Sequence, residues 1–102
     1  MAWRFVVQPN NMIARFSEVV DDFTHYDLLP GEAVTVCQIE CSMSPVDALE
    51  KVKRAYMDLD RFENAIKIIR IIHGDDVANE REQQLSATVT TGKTITPVEK
   101  IQ

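Results

Sequence analysis

Hydrophobic and polar positions repeat with more than one period along this chain. At the start, Trp3, Phe5 and Val7 alternate with Arg4, Val6 and Gln8. A period of two in an aromatic and β-branched run predicts a strand with its Trp3/Phe5/Val7 face buried. Pro9-Asn10-Asn11 ends it. Ile13, Phe16, Val20 and Phe23 then follow at spacings of 3, 4 and 3. That pattern places them on one helical face and predicts an amphipathic helix over 12–24, capped by Asn10 or Asn11. Residues 30–42 admit two readings. Pro30 and Glu32 suit the first turn of a helix, whereas the β-branched Val34, Thr35, Val36 and Ile39 suit a strand. The helix-like start at Leu29-Pro30-Gly31-Glu32-Ala33 favours the helix.

Ser44-Pro45-Val46-Asp47 is the clearest local signal. Ser44 can accept a hydrogen bond from the first turn, and Pro45 fits the first helical position, where a missing N–H costs nothing. Ala48, Val52, Ala55, Leu59, Phe62, Ile66 and Ile69 follow at alternating spacings of 4 and 3, and Gly74 is a natural stop. The stripe predicts one long helix over 45–73, with a break near Asp58-Leu59-Asp60 as the competing reading. At 1.5 Å per residue the uninterrupted helix is about 43 Å long. A 100-residue domain is only ~26 Å across, so part of such a helix projects and exposes its apolar stripe to a partner.

Asp75 to Gln84 is polar apart from Val77 and Ala78. The threonine-rich runs Ser86–Thr91 and Thr94–Val98 flank Gly92-Lys93 and predict a β-hairpin, with Pro97 confining the second run to an edge. The expected fold is α+β, in a single domain spanning 1–102. The N-terminal strand and the C-terminal hairpin form a small antiparallel sheet. Two short helices and the long helix cover it.

Charge divides the chain unevenly. The formal net charge is −5, from 16 acidic and 11 basic residues. From Ser17 to Glu50 the chain carries eight acids and neither Lys nor Arg, whereas residues 51–70 carry six basic and three acidic residues. The overall acidity argues against direct nucleic-acid binding and against an anionic membrane surface, both of which need an excess of Lys and Arg. The acidic stretch predicts a contact face for a basic or nucleic-acid-binding protein partner, with Glu18, Asp21, Asp22, Asp27 and Glu32 as its charges. Leu59, Phe62, Ile66 and Ile69 are the expected oligomer seam. The favoured function is therefore a non-enzymatic homo-oligomer that regulates or inhibits a partner. The alternative is a small oligomer that binds an anionic, phosphate-bearing small molecule between subunits, through Lys51, Arg54, Arg61 and Lys93.

Other constellations carry less. Glu18, Asp22 and His25 fall on one face of the expected first helix, but a carboxylate-bridged metal pair needs a second such set, and none is present. Cys37 and Cys41 lack matching zinc ligands elsewhere and are too few for a disulfide framework. Thr91-Gly92-Lys93-Thr94 has Ala87 where a phosphate-binding loop needs glycine, and no helix can start at Ile95-Thr96-Pro97. No catalytic residue, metal or cofactor is expected. The N-terminus lacks the pattern of a signal peptide, and the apolar run Ala65–Ile72 is interrupted by Lys67 and Arg70, far short of the ~20 residues of a membrane span. A cytoplasmic protein is the expectation.

Overall fold

A computed structural model describes residues 3–87. The order of elements is β1 (Trp3–Val7), β2 (Ile13–Ser17), β3 (Asp22–Leu28), α1 (Pro30–Cys41), α2 (Pro45–Met57), α3 (Arg61–His73) and α4 (Asp75–Ser86). The strands form an antiparallel meander in the order β1-β2-β3, with Phe5 opposite Arg15 and Val7 opposite Ile13. Helices cover both faces. Phe5, Ile13 and Leu28 pack with α1 and α2, while Val6, Ala14, Phe16 and Phe23 pack with α3 and α4.

This arrangement overturns the expected sheet and the expected helix over 12–24. Residues 13–17 and 22–28 are strands joined by a turn with Asp21 at φ 52°. The helical spacing of Ile13, Phe16 and Phe23 arises because a sheet covered on both faces buries residues of both parities, so simple alternation disappears. Ile13 faces one helical layer, and Phe16 and Phe23 face the other. β3 also sets seven residues against five of β2, with two register shifts. Asp27, at φ 58°, sits in the left-handed region within the bulged stretch. The hairpin expected around Gly92-Lys93 lies outside the described residues. The sheet is built from the N-terminal strands instead.

The expected 45–73 helix is two helices. Residues 58–60 interrupt it, where the Asp58 carboxylate accepts the Asp60 N–H at 3.3 Å and the Asp58 carbonyl accepts the Arg61 N–H at 3.3 Å. These local bonds replace the helical ladder. The break lets the chain pass from one face of the sheet to the other. Ala48, Val52 and Ala55 of α2 pack on the Phe5 side, whereas Phe62, Ile66 and Ile69 of α3 pack on the Phe16 side. One apolar stripe thus serves two cores. At the crossing, Arg61 donates to the Phe5 carbonyl at 3.1 Å and so covers part of the open edge of β1.

Residues 30–42 are helical. Pro30 occupies the first turn of α1, and the Glu32 carboxylate accepts the Leu29 N–H at 2.8 Å. Ser42 ends α1 in the left-handed region at φ 53°. Ser44 Oγ accepts the Asp47 N–H at 3.2 Å and caps α2, with Pro45 following. Gly74, at φ 98°, turns the chain between α3 and α4, a conformation that disfavours any side chain. No helix among the described residues is long and apolar enough to cross a membrane.

Candidate functional site

The outer face of α2 carries four exposed or half-exposed apolar side chains. Toward the sheet it presents Ala48, Val52 and Ala55, two of them alanines. Toward solvent it presents Val46, Leu49, Tyr56 and Met57, with Val46 77% and Met57 80% exposed. An amphipathic helix ordinarily points its larger apolar side chains inward. Here they point outward, and Leu59 in the following turn is also exposed. Charge is graded along the same helix. Asp47 and Glu50 lie in its N-terminal half, and Lys53 and Arg54 in its C-terminal half. An open cleft of about 240 Å³ beside α2 is lined by Met43, Asp47, Glu50, Lys51 and Arg54.

A second cluster centres on Trp3. The Arg15 guanidinium lies 4.7 Å and the Lys51 ammonium 4.6 Å from the centre of the Trp3 ring. Arg15 and Lys51 are paired with no carboxylate among the described residues. Arg15 Nη2 lies 4.0 Å from Cys41 Sγ, and its buried Nε has no hydrogen-bond partner among the described residues. Cys37 sits one turn before Cys41 on α1, fully buried. Burial pushes its thiol up to about 11, and the neighbouring Cys41 adds to the rise, against the opposing pull of Arg15 and Lys51. A buried thiol held protonated is a poor nucleophile and a poor metal ligand.

The acidic residues expected to form a contact face are engaged within the chain. Asp22 is buried and takes both Arg81 Nε, at 3.0 Å, and Arg81 Nη2, at 2.9 Å. That hydrogen bond and the adjacent charge raise the Arg81 guanidinium above its ordinary value, despite partial burial. Asp27 accepts from Gln8 Nε2 at 2.8 Å and Asn10 Nδ2 at 3.1 Å. Gln8 and Asn10 also donate to the Leu85 and Ala87 carbonyls, both at 2.9 Å, and so cap the end of α4. Glu18 pairs with Arg4 across β1 and β2, and Glu32 holds the start of α1. Asp21 occupies the β2–β3 turn. The five are spread over the β2–β3 turn, the β3 bulge and the start of α1, and four serve as struts.

The other expected residues also separate. Phe62, Ile66 and Ile69 are 7%, 6% and 0% exposed, so the chain's own core takes them up; Leu59, at 66%, stays outside. Of the four cations expected for an anionic ligand, Lys51 and Arg54 share the cleft beside α2, together with the countercharges Asp47 and Glu50. Arg61 is turned to Phe5 and Asp58, and Lys93 lies outside the described residues. His25 is buried with Nδ1 3.0 Å from Thr24 Oγ1, while Glu18 pairs with Arg4 and Asp22 with Arg81. Among the described residues no group of three His, Cys, Asp or Glu side chains is arranged for a metal ion.

Sequence reasoning missed the Trp3–Arg15–Lys51 cluster because it joins residues from two strands and a distant helix. It also missed the outer face of α2, although that signal is local: Val46, Leu49, Tyr56 and Met57 are larger than the inward-facing alanines. No family model matches the sequence, and comparisons with curated proteins and with solved structures return no significant match.

Proposed function

We propose that this is a non-enzymatic interaction protein, regulatory in role, whose contact surface is the outer face of α2. The observation that carries the reading is the reversed placement of apolar bulk on α2, alanines inside and Val46, Leu49, Tyr56 and Met57 outside. Exposed apolar side chains collected on one helix mark a docking site more often than a solvated surface. The acidic stretch contributes little to this reading, because Asp22, Asp27, Glu18 and Glu32 already have partners in the fold. A cytoplasmic location belongs to the same proposal and is supported by Cys37 and Cys41 as free thiols.

The test compares immobilised wild type with the double variant Leu49→Glu/Tyr56→Glu in an extract of the native cells, with untagged chain added. Wild type should retain at least one polypeptide, its own untagged chain included, that the folded double variant does not. Identical retained sets would overturn the reading.

A second reading rests on a separate observation, two cations at Trp3 with no carboxylate partner and an Arg15 Nε with no hydrogen-bond partner among the described residues. They favour a small oxyanion, such as a phosphate-bearing compound, beside Lys51. Inorganic phosphate and a nucleotide panel should raise the melting temperature of wild type and not of Lys51→Ala. A flat response in wild type would dispose of it.

A further inference from the structure

The order of residues along the outer face of α2 is self-complementary. At about 100° per residue, the line facing straight away from the core is Val46, Glu50, Lys53 and Met57, at spacings of 4, 3 and 4. Val46 and Met57, at its two ends, are also the most exposed apolar residues of the helix. Leu49 and Tyr56 lie along one flank of this line, and Asp47 and Arg54 along the other.

We infer that the occupant of this face is a second copy of the chain, packed antiparallel along α2 about a two-fold axis. The inference rests on the reading of α2 as the contact surface and names its partner. When two helices meet face to face and antiparallel, the two-fold axis crosses them at mid-length. Each flank then meets the same flank of the copy, and each N-terminal half meets a C-terminal half. Every position on the outer face of α2 then finds a complement. Val46 meets Met57 of the second copy, and Glu50 meets Lys53. Leu49 meets Tyr56 on the apolar flank, and Asp47 meets Arg54 on the charged flank. Each contact occurs twice.

Charge selects this arrangement over a parallel one. Parallel pairing sets Glu50 against Glu50 and Lys53 against Lys53 on the central line and turns the Asp47/Arg54 flank toward the apolar Leu49/Tyr56 flank, and like charges across an interface are unfavourable. Lys53 at the centre of the line is compatible with an interface, because its aliphatic stem lies along apolar neighbours while its ammonium reaches Glu50 of the copy. The seam occupies the 13 residues of α2, about 20 Å.

The test uses the full chain and two single variants, Glu50→Lys and Lys53→Glu, each checked for folding by circular dichroism. Light scattering across concentration should give twice the chain mass for wild type. Each variant alone faces itself with like charges, and its dimer dissociation constant should rise about tenfold or more. An equimolar mixture of the two should recover the dimer, because each variant supplies the charge the other lacks. A mixture that stays monomeric, or variants that dimerise as well as wild type, would overturn the antiparallel pairing. If wild type is monomeric yet retains a different polypeptide that Leu49→Glu/Tyr56→Glu loses, the contact surface stands and the second copy falls. If that double variant changes nothing, both fall.

Discussion

The two faces of the sheet are packed with side chains of different size. On the α3/α4 face, Phe16, Phe23 and Phe62 form a connected aromatic set. Phe16 and Phe23 meet edge to face at 5.6 Å, and Phe23 stacks on Phe62 at 6.0 Å. Ile66, Ile69 and Leu85 complete this core, and the Asp22–Arg81 pair ties β3 to α4 beside it. On the α1/α2 face, Phe5, Ile13 and Leu28 of the sheet meet Ala33, Val36, Cys37, Ala48, Val52 and Ala55. Small residues bring a helix close to a sheet but bury little apolar area each. On the α3/α4 face Phe16, Phe23, Phe62, Ile66, Ile69 and Leu85 are buried, while Ile71 and Ile72 at the end of α3 stay exposed. On the α1/α2 face the helices contribute mostly small residues to the core, and Val46, Leu49, Tyr56 and Met57 of α2 stay outside it. The proposed association surface and the aromatic core thus lie on opposite sides of one small sheet.

Substitutions on the two faces should separate these roles. Phe23→Ala strikes the centre of the aromatic set and should cost about 3–5 kcal/mol in chemical denaturation, the largest effect expected. Were it to cost no more than a surface change, the large-residue core would not be the main source of stability. Arg81→Ala leaves the buried Asp22 carboxylate without its fork of donors and should cost about 1.5–3 kcal/mol.

Ala48→Leu examines the opposite face. Ala48 is fully buried between helix and sheet, so the added bulk should cost about 1–3 kcal/mol by overpacking. A gain in stability would show that α2 has room to spare on its inner side and that the contrast between the faces is overstated. The smallest effect concerns Cys37. Its folded thiol is raised from 9.0 to about 11, so the folded state holds a proton that the unfolded chain releases between those values. Stability from this source is full below pH 9 and is lost as pH rises toward 11. Cys37→Ala should flatten that alkaline decline in a pH series of thermal melts. An unchanged decline would show that Cys37 does not cause it.

Local chemistry made part of the fold legible. The Trp3/Phe5/Val7 alternation, Pro30 with Glu32, the Ser44-Pro45 cap and the Gly74 stop each act within a few residues. All four mark element boundaries or types that the structure contains. The middle strands were not legible, because Ile13, Phe16 and Phe23 imitate a helix when a sheet is buried on both sides. The candidate site was partly legible. α2 could be placed from its cap and its Ala48/Val52/Ala55 stripe from spacing, but that this stripe and the Phe62/Ile66/Ile69 stripe pack on different faces of the sheet required the fold. An unbroken stripe from Ala48 to Ile69 gave no hint that its two halves serve separate cores.

By itself, the sequence determined where α1 and α2 begin, that residues 3–7 form a strand, and that opposite charges lie in opposite halves of α2. These depend on backbone preferences, capping and spacing, which act over one or two turns. Only the tertiary structure decided that Asp22, Asp27, Glu18 and Glu32 are struts, that Phe62, Ile66 and Ile69 are core, and that Val46, Leu49, Tyr56 and Met57 remain uncovered. Whether a charge is paired or an apolar side chain is buried depends on groups brought from distant positions in the chain. Arg81 reaching Asp22 and α3 crossing to the far face of the sheet are the contacts that settle those assignments.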